Sequence, residues 1–414
     1  MRPLEGIRVV DFGWVAVGPV LSSLLAEFGA EVIKVESSRR LDYSRLIPTP
    51  LSEDEKISEA LLSRADEIDR VPLFHQYNRG KLGITVDLRH PRAPELLKRL
   101  VAKSDVVVEN FSPRVLREVG LDYPALAQVK PDLIMISCSA AGQGGPWETV
   151  RTFAPSLSSL AGLERLIGYP GERCLGALTF GYADPSNAHH GLFAVLAALW
   201  HRERTGEGQW IDMSQLEATV GLVGEALMDY VMNGRVWDTQ GASHASLAPH
   251  GIYPCRGEDE WVALACQTET EWQRLCQVMD DPAWCRERRF VDLPSRRNNR
   301  EALDRLIAEW TRTLSAAEAA SRCQAVGVPA SPVLGLEAHS SHPYFQARGT
   351  LTSVSHPVLG SLALYTSPIK LDATPGEIQR PAPCLGEDNQ RIFRDLLGLA
   401  PDEIERLRAD GLLR

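Results

Sequence analysis

The sequence has no C-x-x-C pair. Its eight cysteines stand apart at 138, 174, 255, 266, 276, 285, 323 and 384. That spacing excludes a zinc ribbon and a thioredoxin-type redox motif. Scattered thiols in a chain of 414 residues are expected to be reduced and mostly buried, as in a cytoplasmic protein. There is no G-x-S-x-G, no H-E-x-x-H and no G-x-x-x-x-G-K-[ST], which removes the hydrolase elbow, the zincin site and the P-loop. His189 and His190 are adjacent, so they point to different faces of a helix and make a poor joint metal site. Positive charge is in deficit, 44 Lys and Arg against 54 Asp and Glu for a net charge of −10. Nucleic acid is therefore not an expected partner, although a local basic pocket for a small anion is compatible with this balance. No apolar run approaches a membrane span and the first residues carry no signal-peptide core, so a soluble chain without membrane contact is expected.

What is present is an alternation of short apolar strands and helices. Residues 7–12 read as a buried strand, 20–28 as a helix and 31–36 (EVIKVE) as a second strand, a βαβ unit that implies a parallel sheet. Gly13 and Gly18 lie five apart, so the dinucleotide fingerprint is missing and a nicotinamide enzyme is disfavoured. Residues 37–75 read as a polar excursion with a helical piece near 52–69. Strands are expected at 83–88, 105–111 and 133–138, with helices at 94–103, 115–119 and 123–129. This pattern predicts a doubly wound α/β domain whose ligand sits beyond the carboxyl ends of the strands, where Glu36, Asn110-Phe111 and the 139–147 loop fall.

A strand is expected at 210–213 and one long apolar helix at 215–233. The polar stretch 234–249 reads as a boundary. It is followed by a smaller α+β region to about residue 332, with strands at 251–254 and 261–265 and helices at 269–279, 299–313 and 316–326. Strands near 349–354 and 361–365 and a last helix at 388–397 complete the reading.

The stretch Gly181-Tyr182-Ala183-Asp184-Pro185-Ser186-Asn187 precedes an apolar helix expected at 187–204. Asp is a favoured N-cap and Pro a favoured first helical residue, so Asp184-Pro185 is explained locally without chemistry. A carboxylate at a helix N-terminus is equally well suited to act as an ionised nucleophile.

Six stretches, in order, resemble the class III CoA-transferases, the CaiB–BaiF family. They are Phe28-Gly-Ala-Glu-Val-Ile-Lys-Val-Glu36, Asn78-Arg-Gly-Lys81, Asp105-Val-Val-Val-Glu-Asn-Phe111, Gly142-Gln-Gly-Gly-Pro146, the Asp184 stretch, and Arg202-Glu-Arg-Thr-Gly-Glu-Gly-Gln209. The resemblance implies a Rossmann-like large domain from both chain ends (residues 1–233 and 333–414), a small α+β domain (234–332) and an interlocked-ring homodimer. A heteromer with a related chain is the other arrangement it allows. It implies that Asp184 attacks an acyl-CoA thioester, giving an acyl-aspartyl anhydride and then an aspartyl-CoA thioester, with coenzyme A as substrate and no permanently bound cofactor. It also implies CoA contacts from Val17 and Gly18 near the pantetheine, from Arg39 (or Arg40) and Lys81 at phosphates, and from Asn110, Phe111 and Ser139. The glycine loop at Gly142 and Gln143 would stabilise tetrahedral oxyanions. No tetra-glycine lid is present, and a family arginine falls on Glu118. The same fold includes α-methylacyl-CoA racemases, which need a histidine ahead of the aspartate; residues 148–162 contain none. Ala183, Phe153, Leu157, Leu160, His189 and Phe193 lean apolar, which suggests an acceptor bulkier than oxalate, such as a substituted dicarboxylic acid, with succinyl-CoA as donor.

Overall fold

The computed structural model describes residues 2–46, 67–177 and 181–414, so the helical piece expected at 52–69 lies almost wholly outside the described residues. The chain divides into two compact units. One comprises Met1–Glu164, Ala177–Gly234 and His342–Arg414, the other Arg165–Gly176 and Arg235–Ser341.

The larger unit is built on six parallel strands: β1 (Arg8–Asp11), β2 (Glu31–Glu36), β3 (Leu82–Thr85), β4 (Val106–Glu109), β5 (Ile134–Ser139) and β6 (Gln209–Ser214), in the order β3-β2-β1-β4-β5-β6. The inner strands β1, β2 and β4 are rich in valine and isoleucine because both of their faces are covered, whereas the edge strand β6 is largely exposed. Their side chains alternate between two cores. Val10, Ile33, Ile84 and Val107 pack with Leu97, Leu100, Phe393 and Leu407 on one face. Val9, Val32, Ile134 and Ile136 pack with Leu21, Leu25, Ala188 and Val195 on the other. The chain end closes the β3 edge. Asp388 Oδ2 accepts the Gly83 N–H at 2.8 Å and Asn389 Oδ1 that of Thr85 at 2.9 Å, which occupies donors an open edge would expose.

Several boundaries differ from the sequence reading. The first helix spans Val17–Glu27, taking in residues read as loop. The expected 215–233 helix is two, Gln215–Val220 and Gly224–Asn233, because Gly221 and Gly224 lower helix propensity at the joint. A final helix at Pro401–Ala409 was not anticipated, and the expected 388–397 helix is a wide helical turn over Arg391–Leu396.

The smaller unit has three antiparallel strands, β7 (His250–Pro254), β8 (Trp261–Ala265) and β9 (Ala330–Pro332). Its helices Glu269–Val278 and Ala316–Ala325 open with Thr268/Glu271 and Ser315/Glu318 capping boxes. Trp272, Leu275, Phe290, Leu303, Ile307 and Cys323 fill its core. Residues 165–176, read as part of the large domain, belong to this unit. Gly241 N–H donates to Gly168 O, and Thr239 Oγ1 to Tyr169 O, both at 2.9 Å. All eight cysteines are free thiols. Among the described residues no helix is long and apolar enough to cross a membrane.

Beneath the carboxyl ends of β1 to β3 lie two lysine–aspartate pairs that are wholly buried. Lys81 Nζ contacts Asp11 Oδ2 at 2.7 Å and Lys34 Nζ contacts Asp42 Oδ2 at 2.8 Å. Burial pushes the Asp11 carboxyl up, but Lys81 and Lys34 outweigh it and hold Asp11 below the usual carboxylate range. Burial also pushes Lys81 down, to about 8. Lys81→Met should cost about 3–5 kcal/mol in equilibrium urea unfolding, because it strands the Asp11 charge. The double variant Lys81→Met/Asp11→Asn should lose clearly less. A double-variant loss as large as the sum of the two single losses would show that the pair is not coupled.

Candidate active site

In a sheet of this order the winding reverses between β1 and β4, and ligands enter at the carboxyl ends there. The chain closes that point by close approach. A Cβ on Gly18 would stand 2.9 Å from Gly13 Cα, and one on Gly13 would stand 2.8 Å from Pro19, so the two glycines are required where loop and helix touch. Asn110, just after β4, clamps the β1 loop. Its Oδ1 accepts the Trp14 N–H at 2.7 Å and its Nδ2 donates to Trp14 O at 2.9 Å. Val15 next to it is held at φ 62°, a costly conformation for a β-branched residue. The Val15 N–H is secured by Asp42 Oδ1 at 3.1 Å.

A cavity of about 530 Å³ opens beyond these strand ends, lined by Trp14, Arg39, Arg40, Arg89, Phe111 and Glu118 among others. Phe111 meets Trp14 edge-on with centroids 6.1 Å apart, and the Arg40 guanidinium lies 4.3 Å over the Trp14 ring. Burial lowers the Arg40 pKa, and the nearby charges of Arg89 and Arg151 lower it further. Among the described residues none of these three arginines has an ion-pair partner. Arg40 is thus crowded by like charge beside an aromatic pair, a combination whose chemistry suits a polyanion carrying a flat ring.

Of the residues expected to hold CoA, Arg39 and Phe111 line this cavity. Arg39 is exposed and reaches Asp87 at 3.3 Å. Asn110 borders it, with its side chain spent on Trp14. Lys81 does not fit a phosphate role. Its three donors are used by Asp11, Pro19 O (2.9 Å) and Asn78 Oδ1 (2.8 Å), and its side chain is fully buried. Val17 and Gly18 form a buried helical turn rather than an open loop. Ser139 is buried at the end of β5, its hydroxyl without a partner among the described residues. Gly142 turns at φ 87°, and the Gln143 N–H donates to both Asp212 oxygens at 3.0 Å. That N–H is therefore committed and unavailable to an oxyanion.

The helix carrying Asp184 begins at Ala183 and runs to Thr205, with Tyr182 as its N-cap. Asp184 therefore lies inside the first turn and is not the cap, and Pro185 is the third helical residue. Asn187 anchors this end, donating through Nδ2 to Gln215 O and Thr219 Oγ1, both at 3.2 Å. Farther along, Gly191 packs on Leu21, where a Cβ would come within 2.4 Å. The small residue at 181 leaves space beside the carboxyl, Asp184 Oδ2 lying 3.8 Å from where a Gly181 Cβ would stand. Burial alone pushes Asp184 up to about 6, and among the described residues no cation offsets it. Tyr77, on the Pro72–Asn78 helix, lies close enough for the Asp184 charge to add to the upward shift that burial causes in its phenol.

Of the apolar residues expected around the nucleophile, Ala183 and Leu157 are buried, while Phe153, Leu160 and Phe193 are exposed and His189 turns its Nδ1 to Pro185 O at 2.7 Å. The residues missed from sequence are Trp14, Arg89, Arg151 and Tyr77. Trp14 and Arg89 follow β1 and β3 directly, so the strand-end rule would have found them. Arg151 and Tyr77 carry no local signal.

The likeness to known proteins extends over the whole chain. The profile of CoA-transferase family III matches residues 4–389. The succinyl-CoA–D-citramalate CoA-transferase of Chloroflexus aurantiacus is 33% identical over 412 residues, covering 100% of this chain and 98% of the relative. The alpha subunit of the succinyl-CoA–L-malate CoA-transferase from the same organism is 32% identical, covering 99% and 92%. A crystal structure of a CAIB/BAIF family protein from Brucella suis superposes with a TM-score of 0.83 at 28% identity, covering 95% of this chain and 99% of that one. The chain belongs to CoA-transferase family III.

Proposed function

We propose that this CoA-transferase moves coenzyme A from succinyl-CoA to a dicarboxylic acid, with Asp184 as the covalent nucleophile. The observation that carries the proposal is the desolvated carboxyl of Asp184 at a helix start, raised to about 6 by burial with no counter-ion among the described residues. An ion-paired carboxylate would be a poor nucleophile. This one is ionised above pH 6, poorly solvated, and close in basicity to the acids it must exchange with. The relatives support the donor and acceptor class, being transferases named for succinyl-CoA with malate and citramalate.

The reaction then proceeds in four acyl exchanges. An Asp184 oxygen attacks the thioester carbonyl, the C–S bond breaks, and CoA leaves as thiolate from a mixed anhydride. The thiolate attacks the aspartyl carbonyl of that anhydride, releasing the donor acid and leaving aspartyl-CoA. The acceptor carboxylate displaces the thiolate, forming a second anhydride. The thiolate attacks the acceptor's acyl carbon and frees Asp184. No water is consumed, so its exclusion is part of the design. The arginine cavity would hold the nucleotide half of CoA, leaving the thiol end to reach Asp184.

The assembly proposed is a homodimer. Helix Gly224–Asn233 has no buried residue and exposes Leu227, Met228, Tyr230, Val231 and Met232, while Phe193, Leu196 and Trp200 form an exposed stripe on the Asp184 helix. Apolar surface of this extent is unusual for a monomer. A heteromer is the second reading, favoured by the relative that is an alpha subunit. Sedimentation of the purified chain should give twice its 45.7 kDa; a monomer without activity would favour a separate partner chain.

Intact-protein mass after incubation with succinyl-CoA and a hydroxylamine quench should place the modification on Asp184. No adduct, together with exchange of the α-hydrogen of a 2-methylacyl-CoA for deuterium, would replace transfer by racemisation. Asp184→Asn should lower kcat about ten-thousand-fold, as removal of a covalent nucleophile does.

The pH dependence follows from the raised carboxyl. The plot of log kcat/KM should fall with unit slope below about pH 6, where Asp184 takes up a proton. Because the folded-state pKa lies above the unfolded one, the ionised carboxyl weakens the fold at high pH. Asp184→Asn should therefore be more stable than wild type by about 1–2 kcal/mol at pH 8, with the gap closing as pH falls from about 6 toward 4. A gap that does not vary with pH in urea unfolding would contradict this origin.

A further inference from the structure

The mechanism leaves one buried acid without a task. Glu109, the last residue of β4, is 4% exposed and lines a small pocket with Ser137, Gln143 and Trp210, separate from the arginine cavity. Its Oε2 accepts the Phe111 N–H at 2.8 Å, and Ser137 hydrogen-bonds the same carboxylate. The Ser137 oxygen is fixed in turn by Trp210 Nε1–H at 3.0 Å, and the Trp210 ring stacks on Tyr123 with 13° between planes. From Glu109 the connections run outward to the cavity. Phe111 packs edge-on against Trp14, Asn110 binds both polar groups of the Trp14 backbone, and Arg40 lies over the Trp14 ring.

We propose that Glu109 is the positioning residue of the coenzyme A cavity: its carboxylate fixes the Asn110-Phe111 turn and, through Trp14, the stance of Arg40 that receives the nucleotide half of a CoA thioester. The proposal rests on the reading of the cavity as the CoA site. The carboxylate form is the competent one, since a charge-assisted bond to the Phe111 N–H is stronger than a neutral one and a protonated carboxyl must turn one oxygen into a donor. Burial pushes Glu109 up to about 7, Asp212 on β6 adds to the rise, and the bonds from Ser137 and Phe111 oppose it. The other charged groups around the pocket are offset. Arg114 is paired with Glu148 and Arg117 lies 3.7 Å from Asp122, while the Cys138 thiol on β5 is kept neutral by burial. The side chain thus changes charge near neutral pH, and its hold on Phe111 changes with it.

The test is calorimetric titration of the full chain with free coenzyme A from pH 6 to 8.5, for wild type, Glu109→Gln, Glu109→Ala and Arg40→Ala. The glutamine keeps an acceptor for the Phe111 N–H but cannot ionise. The ligand's own phosphate titrates near pH 6, and this contribution is common to all the proteins. The difference between wild type and Glu109→Gln therefore isolates Glu109. Between pH 8 and pH 6 the wild-type Kd should rise about three- to tenfold more than that of Glu109→Gln. The kcat of Glu109→Gln at saturating CoA thioester should be unchanged, and Glu109→Ala should bind about tenfold more weakly throughout. Parallel wild-type and Glu109→Gln curves would overturn the inference. So would the opposite sign, tighter wild-type binding at low pH, which is the signature of simple repulsion between Glu109 and the anionic ligand. Unweakened binding by Arg40→Ala would instead remove the cavity reading itself. The glutamine variant keeps the test open should the alanine variant fail to fold.

Discussion

The geometry of the site depends on charges that have been taken out of water. Asp11 ends β1 and binds Lys81, Ser22 Oγ and the Gly13 N–H, while Asp42 binds Lys34, Ser44 and the Val15 N–H. Lys34 also donates to Gly13 O at 2.8 Å. The loop after β1 is thereby gripped at Gly13 and Val15 by groups that cannot relax without stranding a buried charge. Beside it, Arg45 makes a two-pronged pair with Glu36 at 2.9 and 2.8 Å and stacks over Phe74. Buried pairs of this kind are weak evidence for net stability, since apolar residues of equal volume often do as well. What they supply here is definition. A β-branched residue at positive φ persists only where its surroundings over-determine it, and Val15 is surrounded in that way.

That rigidity makes sense of the two halves of the site. The half proposed to bind CoA is assembled on strand ends and carries Arg40 and Arg89, which have no ion-pair partner among the described residues. The half proposed to perform the chemistry carries the Asp184 carboxyl on a helix start. Each is costly, because Arg89 and Arg151 repel Arg40 and, among the described residues, the Asp184 carboxyl has lost water without gaining a counter-ion. A scaffold that relaxed would pair these groups with one another or with solvent. On the proposed mechanism, holding both unsatisfied would keep the binding energy of the nucleotide available for bringing a neutral thioester against a reactive carboxylate.

The fold was largely legible because its signals are local and repeated. The runs 31–36 and 105–109 can hardly be anything but buried strands, and their spacing with helices between fixes a parallel sheet. Boundaries failed where tertiary contact overrides local chemistry. Gly18-Pro19 reads as a loop, yet forms a helical turn because Gly13 presses against it. Residues 165–176 read as continuous with the domain before them, yet pair with 239–241. The placement of the candidate residues in the fold was legible in part for the same reason. Asp184 stands in a distinctive stretch, and Asn110-Phe111 follows a strand. Lys81 was misread because a lysine after Asn-Arg-Gly is exposed by every local rule. Only the register of β3 beside β2, and the approach of Asp11 from β1, bury it.

Asn110 shows why strand-end residues in such sheets are hard to divide between structure and function. Its amide is fully engaged with the Trp14 backbone, so it has nothing left for a ligand. The clamp nevertheless decides where the Trp14 ring lies, and with it where Arg40 lies. A residue can therefore follow the strand-end rule for ligand sites and touch no ligand, acting on the cavity through an intermediary. Glu109 is one step farther back along the same path. The reversal of winding between β1 and β4 is what makes this arrangement available. It is the one place in the sheet where the loops of two adjacent strands leave in opposite directions, opening a crevice whose walls must be tied across. In this chain the tie is the Asn110 amide together with the Phe111–Trp14 ring contact, and the role proposed for the buried acid beneath it is to keep that tie in register.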